Sequence, residues 1–127
     1  MFWLSFVFNN LKLVQIKLKR VYEPAAKEDG FRILMDKLWP RGLAKEKAKV
    51  DLWLREVSPS DELRKAFHGG KMEWEEFRTN YLKELKDNQE PLEELRKKAE
   101  EGQLTLVYRA KTEEHNQAVV LGELLIK

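Results

Sequence analysis

The chain has no cysteine among its 127 residues, and that absence removes thiolate catalysis, iron–sulfur ligation and zinc sites built on Cys. It leaves the redox compartment undetermined. Histidine is nearly as scarce. His68 and His115 are the only two, far apart and in no metal-ligand spacing, so no metal site is expected. Neither sign of charge dominates: 24 Lys and Arg face 22 Asp and Glu, a formal net charge of +2 with the charges interspersed. A dedicated nucleic-acid binder usually shows a marked basic excess, so that class is not favoured. No apolar run approaches the roughly 20 residues of a spanning helix, and no basic n-region with a small-residue cleavage site marks a signal peptide. The expected setting is the cytoplasm, with no membrane partner. There is no internal repeat, low-complexity tract or linker.

What is present suits one ordinary domain, long enough to bury a core without disulfides or structural metal. Charged residues make up 36% of the chain, and their Lys and Glu bias resembles proteins of hyperthermophiles. The first eight residues are unusually apolar, with Phe2, Trp3, Phe6 and Phe8. Residues 1–14 therefore read as an extension, with three readings open: an extra strand, a dimer contact or a mis-called start. A single domain is expected over 15–127, as a monomer or a homodimer.

Val14 to Tyr22 alternates apolar and basic residues, with Ile16 and Leu18 on one face and Lys17 and Lys19 on the other, as in a strand. Glu23 to Gly30 is a loop with Pro24 near its start and Asp29-Gly30 at its end. A second strand is expected over Phe31 to Asp36, a short helix over Leu43 to Lys49 and an extended segment over Val50 to Val57. Ser60 reads as the N-cap of a helix, with Asp61 and Glu62 favourable in its first turn. Trp74, Phe77, Tyr81, Leu82 and Leu85 recur at helical spacing, as do Leu92, Leu95 and Ala99, and these stripes belong to a core. Leu104 to Tyr108 is a strand, and Glu113 to Ile126 is expected to form the last helix with Thr112 as N-cap. This order predicts an α/β fold: a small layered Rossmann-like domain with a largely parallel sheet of about four strands flanked by helices.

Ligands of such sheets bind beyond the carboxyl ends of the strands. The rule gathers Arg20 and Tyr22, then Asp36 through Arg41, then Pro59 and Ser60, then Tyr108 through Asn116 onto one rim. The turn Leu38-Trp39-Pro40-Arg41-Gly42 is the most distinctive segment, because Pro40 fixes its own φ and restricts Trp39 while Gly42 frees the backbone to turn. A guanidinium held there suits a carboxylate or phosphate, so Arg41 is expected in an anion site. For Arg20 and Arg64 the anion site and a structural ion pair stand as equal readings. Arg32 alternates out of the core face, where it pairs with Asp29 or Glu28. Lys111 and the N-termini of the last helix and of the Ser60 helix add cationic and N–H character. Asp36 is the best carboxylate for acid–base work, with an ion pair to Arg41 or Arg20 as the other reading. His68 reads as a partner of a helix C-terminus. His115, beside Asn116 on the first turn of the last helix, is the candidate base. Tyr22 and Tyr108 offer phenolic hydrogen bonds, or rim packing.

The segments KRVYEPA (Lys19 to Ala25), DGFRILMDKLWPRG (Asp29 to Gly42), SPSDELRKAFHG (Ser58 to Gly69), LTLVYRAK (Leu104 to Lys111) and HNQAVVL (His115 to Leu121) resemble the YeaO-like family, domain of unknown function 488. The resemblance spans from about Gln15 to the C-terminus. It implies the same small α/β domain and no established reaction. A methyltransferase label attached to some relatives finds no support, since a glycine-rich first βα turn of the kind a nucleotide cofactor occupies is missing; the sequence leaves any cofactor unknown. Lys37 stands where the family pattern has Arg, Arg109 where relatives are commonly small, and the Cys that distant members carry near Tyr108 to Asn116 is absent.

The sequence thus predicts an anion-binding pocket that binds or processes a phosphorylated metabolite or nucleotide, with Arg41 and Arg20 clamping the anion. Two alternatives stand beside it. One is a non-catalytic module for a protein or single-stranded nucleic acid, with Trp39, Tyr22 and Tyr108 as stacking platforms. The other is a purely structural rim of paired charges.

Overall fold

Short apolar segments separated by charged turns assemble into one sheet. The computed structural model describes residues 15–126 in full and, before them, the backbone of 2–3, 7–9 and 12–14. In chain order the elements are β1 (Phe2–Trp3), β2 (Val7–Asn9), β3 (Lys12–Val14), β4 (Ile16–Arg20), β5 (Phe31–Leu34), α1 (Lys45–Ala48) and β6 (Leu52–Trp53). There follow α2 (Asp61–His68), α3 (Trp74–Lys86), α4 (Gln89–Glu101), β7 (Leu104–Tyr108) and α5 (Gln117–Leu125). Strands β4, β7, β5 and β6 lie in that spatial order and are parallel. β1 pairs antiparallel with β4 at the sheet edge, and β2 with β3 form a separate antiparallel pair. The fold is therefore α/β with a largely parallel sheet flanked by helices, as the element order implies.

β7, last of the strands in sequence, sits between β4 and β5. Both of its faces are covered, and all of its residues are buried, which is why Leu104 to Tyr108 reads as an almost unbroken apolar run. On one face Ile16, Leu18, Ile33, Met35, Leu104, Leu106 and Tyr108 pack against Phe77, Tyr81, Leu85, Leu92, Leu95 and Leu121 of the longer helices. The Tyr81 hydroxyl donates to the Val57 carbonyl, so the polar tip of that buried ring is satisfied. The opposite face carries a small apolar cluster of Val21, Leu34, Ala48 and Val107, with Trp39 and Trp53 against it.

Beside that cluster lies buried charge. Asp29 is fully buried and accepts from Lys17 Nζ at 2.6 Å, Lys19 Nζ at 3.1 Å, Arg32 Nη1 at 2.6 Å and the Ala26 N–H at 3.0 Å. The expected pairing of Arg32 with Asp29 is present, while the two lysines of β4 turn inward rather than to solvent. Burial alone would raise the Asp29 carboxyl, but these donors outweigh it and hold it well below the ordinary range.

The strands β4 and β5 are shorter than the sequence reading, ending at Arg20 and Leu34, and three further elements depart from it more. Of Val50 to Val57, only Leu52–Trp53 pairs with β5; Arg55–Val57 closes into a 3-10 turn. The short helix is confined to Lys45–Ala48, because Lys49 takes a left-handed φ of 49° and ends it. The last helix begins later than Glu113. Thr112 Oγ1 accepts from the Glu114 and His115 N–H groups at 3.3 Å and closes a separate turn. Asn116, with φ −138°, is the N-cap of α5 and its side chain accepts from Val119 N at 3.1 Å. His115 therefore precedes the helix instead of lying on its first turn.

Candidate functional site

Parallel register brings the strand ends level, with Arg20 opposite Tyr108 and Leu34 opposite Val107. The chain leaving β5, the chain leaving β7, the last turns of α2 and the residues opening α5 then enclose a cleft of about 770 Å³. That volume is within the range of small-molecule sites. Phe67, Phe77 and Tyr108 give it apolar walls. Lys37, Arg64, Arg109 and Lys111 line it with positive charge, and Asp36 is the one carboxylate among the lining residues. The N-terminus of α5 opens at the same place with no acidic side chain in its first turn, so its dipole adds to the positive field.

Asp36 is half-buried and braced from two elements. Its Oδ2 accepts the Arg109 N–H at 2.9 Å and its Oδ1 accepts Gln117 Nε2 at 2.9 Å. It makes no ion pair with Arg41 or Arg20; the backbone turn after β7 and the start of α5 take that role. Burial pushes its carboxyl up to about 6, against the lowering effect of the Arg109 N–H and charge. His68, the last residue of α2, also lines the cleft. Burial first, then the charges of Arg64 and Arg109, hold its imidazole below the ordinary value. His115 lies exposed at the edge, its ring stacked on Trp74 at 4.7 Å and 17°. Tyr108 is buried, so it is a wall of the cleft and not a stacking platform; burial, then the charges of Glu113 and Glu23, raise its phenol. Among the described residues no group of three or more His, Asp or Glu side chains is arranged to hold a metal ion.

Of the candidate residues singled out in the sequence, the structure gathers Asp36, Arg64, His68, Tyr108, Lys111, His115 and Asn116 around this cleft. It places the others elsewhere. Trp39 turns back, donating Nε1 to the Leu43 carbonyl at 2.7 Å and meeting Trp53 edge-on at 5.4 Å. Pro40 is buried, and Arg41 after it is exposed and does not line the cleft. Tyr22 donates its hydroxyl to the Arg41 carbonyl at 3.1 Å. Arg20 spends Nε on the Ala110 carbonyl at 2.8 Å and Nη2 on the Arg109 carbonyl at 3.3 Å, fixing the turn after β7. Ser60 caps α2, as its sequence position implies, but its N–H and hydroxyl are held by the Glu84 carboxylate at 2.9 and 2.6 Å. An internal carboxylate therefore engages the N-cap residue of that helix. Lys37 and Arg109, which also line the cleft, fall within the rim segments that the strand-end rule gathers but were not singled out as ligand residues, and Gln117, the first residue of α5, lies just beyond them.

Comparison with known proteins gives the ancestry. The family model described as the inactive DUF488-N3 subclade matches residues 15–127. The uncharacterized protein YeaO of Escherichia coli (strain K12) is 46% identical over 112 residues, covering 88% of this chain and 97% of that protein. The uncharacterized protein Rv3073c of Mycobacterium tuberculosis (strain ATCC 25618 / H37Rv) is 36% identical over 111 residues, covering 87% and 93%. No solved structure matches. With more than four-fifths of its length aligned to both relatives and the whole helical and parallel-strand region inside the family model, the chain belongs to the YeaO-like DUF488 family.

Proposed function

We propose that this cleft binds a small phosphorylated metabolite or nucleotide and does so without turning it over. The observation that carries the reading is the imbalance of its lining, in which Lys37, Arg64, Arg109 and Lys111 face the single carboxylate Asp36 within one concave site. Guanidinium and ammonium groups at the rim suit an anionic group, and the aromatic walls suit an apolar or ring-bearing remainder. The absence of turnover follows the description of the matching family as inactive. A single-stranded nucleic-acid surface is the weaker reading, because Trp39 and Tyr108 are committed to internal packing.

Asp36 supplies a pH test. Its protonation, as pH falls through about 6, removes the one negative charge lining the cleft and should tighten anion binding. Titration of the labelled chain with sulfate, whose charge is constant from pH 5 to 8, should perturb amides of 36–38, 64–68 and 108–117 and show affinity rising as pH falls. Asp36→Asn should reduce that rise, leaving the part that comes from protonation of His68 in the same cleft, and adenosine monophosphate should be recovered intact after long incubation. Perturbations confined to other surfaces would remove the reading. Hydrolysis of the nucleotide would replace binding with catalysis.

A further inference from the structure

Asp61 opens α2, and its Oδ1 receives both Lys37 Nζ at 2.9 Å and Arg64 Nη2 at 3.2 Å. Both cations line the cleft, whereas Asp61 does not. These two bonds hold the Asp61 carboxyl below its ordinary value, so it is charged at neutral pH. One surface carboxylate thus ties the chain after β5 to α2 and partly neutralises two of the four cleft cations.

Arg64 is left with an unfinished edge. Its Nε is buried, and among the described residues it is the buried side-chain nitrogen or oxygen that lacks a hydrogen-bond partner. Nε and Nη2 point along the same edge of the guanidinium, the edge that takes a carboxylate or phosphate through two parallel bonds. Asp61 engages only the Nη2 half. A buried donor without an acceptor is unfavourable, so an anion that satisfied both halves would gain what Asp61 does not provide.

We propose that Asp61 is a displaceable internal carboxylate, occupying on Lys37 and Arg64 the place of the ligand's anionic group. The proposal rests on the anion-cleft reading above. A phosphate group has the oxygens to fill the Nε and Nη2 edge and still reach Lys37, which one carboxylate oxygen of Asp61 cannot do. Displacing Asp61 is easy because its side chain is 48% exposed, and exposed ion pairs are weak. Ligand entry then releases the chain after β5 from α2, and residue 61 sets the affinity of the site.

The test is a titration of the labelled full chain with inorganic phosphate at fixed ionic strength, following the Arg64 Nε–H resonance. Wild type is compared with Asp61→Asn, Glu62→Gln, Arg64→Lys and the Asp61→Asn/Arg64→Lys pair. Glu62 lies in the same helical turn and controls for the general loss of a negative charge. Asp61→Asn should tighten binding roughly three- to tenfold and Glu62→Gln by less than about twofold. The gain should shrink in the Arg64→Lys background, where only the part due to Lys37 remains, and the Nε–H resonance should move in wild type. If wild type binds phosphate but Asp61→Asn and Glu62→Gln change the affinity equally, or the Nε–H resonance stays still, displacement is wrong while the cleft reading stands. If neither wild type nor Asp61→Asn binds, the cleft reading falls and the displacement goes with it.

Discussion

Asp29 shows what alternation in a sequence does and does not reveal at the scale of single residues. The period-two pattern of β4 correctly separates Ile16 and Leu18 from Lys17 and Lys19, yet it cannot say whether the second face meets water or another layer. Here the loop through Ala26 and Asp29 covers that face, and both lysines are buried with Arg32 around one carboxylate. Removing one partner of a buried ionic network usually costs about 3–5 kcal/mol. Asp29→Asn should therefore lower unfolding free energy in urea at pH 7 by about that much, since the anion shared by three cations is lost. The pH dependence has a definite sign. The folded-state value is depressed, so the stabilisation is complete above the ordinary aspartate range near 4 and fades progressively as pH falls below it. A variant within about 1 kcal/mol of wild type at pH 7, with an unchanged acid limb, would show that the cluster contributes little. Arg41 teaches a related lesson. Pro40 restricts the backbone of its turn, but that does not fix direction: Trp39 packs on Trp53, and Arg41 is exposed and does not line the cleft.

At the scale of elements, the end of each one is decided by whichever side chain best satisfies the exposed backbone N–H groups. Thr112 and Asn116 both have cap-forming side chains, and the sequence alone does not rank them. In the folded chain Asn116 caps α5 while Thr112 closes the turn before it. The loop before β5 is set by Gly30, with φ +64°, where an added Cβ would lie 2.4 Å from the Gln103 carbonyl oxygen. Gly42 has a similar φ of +77° but open space around it. The pair separates backbone strain from steric clash. Gly42→Ala should cost about 1 kcal/mol from the left-handed backbone alone. Gly30→Ala should cost clearly more, on the order of 2–4 kcal/mol, because the neighbouring backbone must also move. Equal losses in urea melts would mean that the Gln103 strand end gives way freely.

For the whole molecule, the order of strand and helix signals was enough to give the α/β architecture, because apolar segments of these lengths bury well only as a sheet with helices packed on it. The strand-end rule located the rim for the same reason: the carboxyl ends of β4, β5 and β7 are level and their following loops converge. Which side chains of those loops face inward depended on packing behind the rim, where Trp39, Pro40 and Arg20 are occupied. Among the described residues no helix is long and apolar enough to cross a membrane. On the proposed reading, the cations lining the cleft, and not rim cations in general, bind a phosphorylated ligand. The most direct test is a thermal-shift comparison of wild type, Arg109→Ala/Lys111→Ala and Arg41→Ala against sugar phosphates and nucleotides at matched ionic strength. Ligand at 100 times its dissociation constant adds about 2.7 kcal/mol, a rise on the order of 10 °C for a domain of this size. That rise is expected in wild type and in Arg41→Ala and should be lost in the double variant. No rise in wild type with any phosphorylated ligand, or equal loss in Arg41→Ala, would contradict the reading.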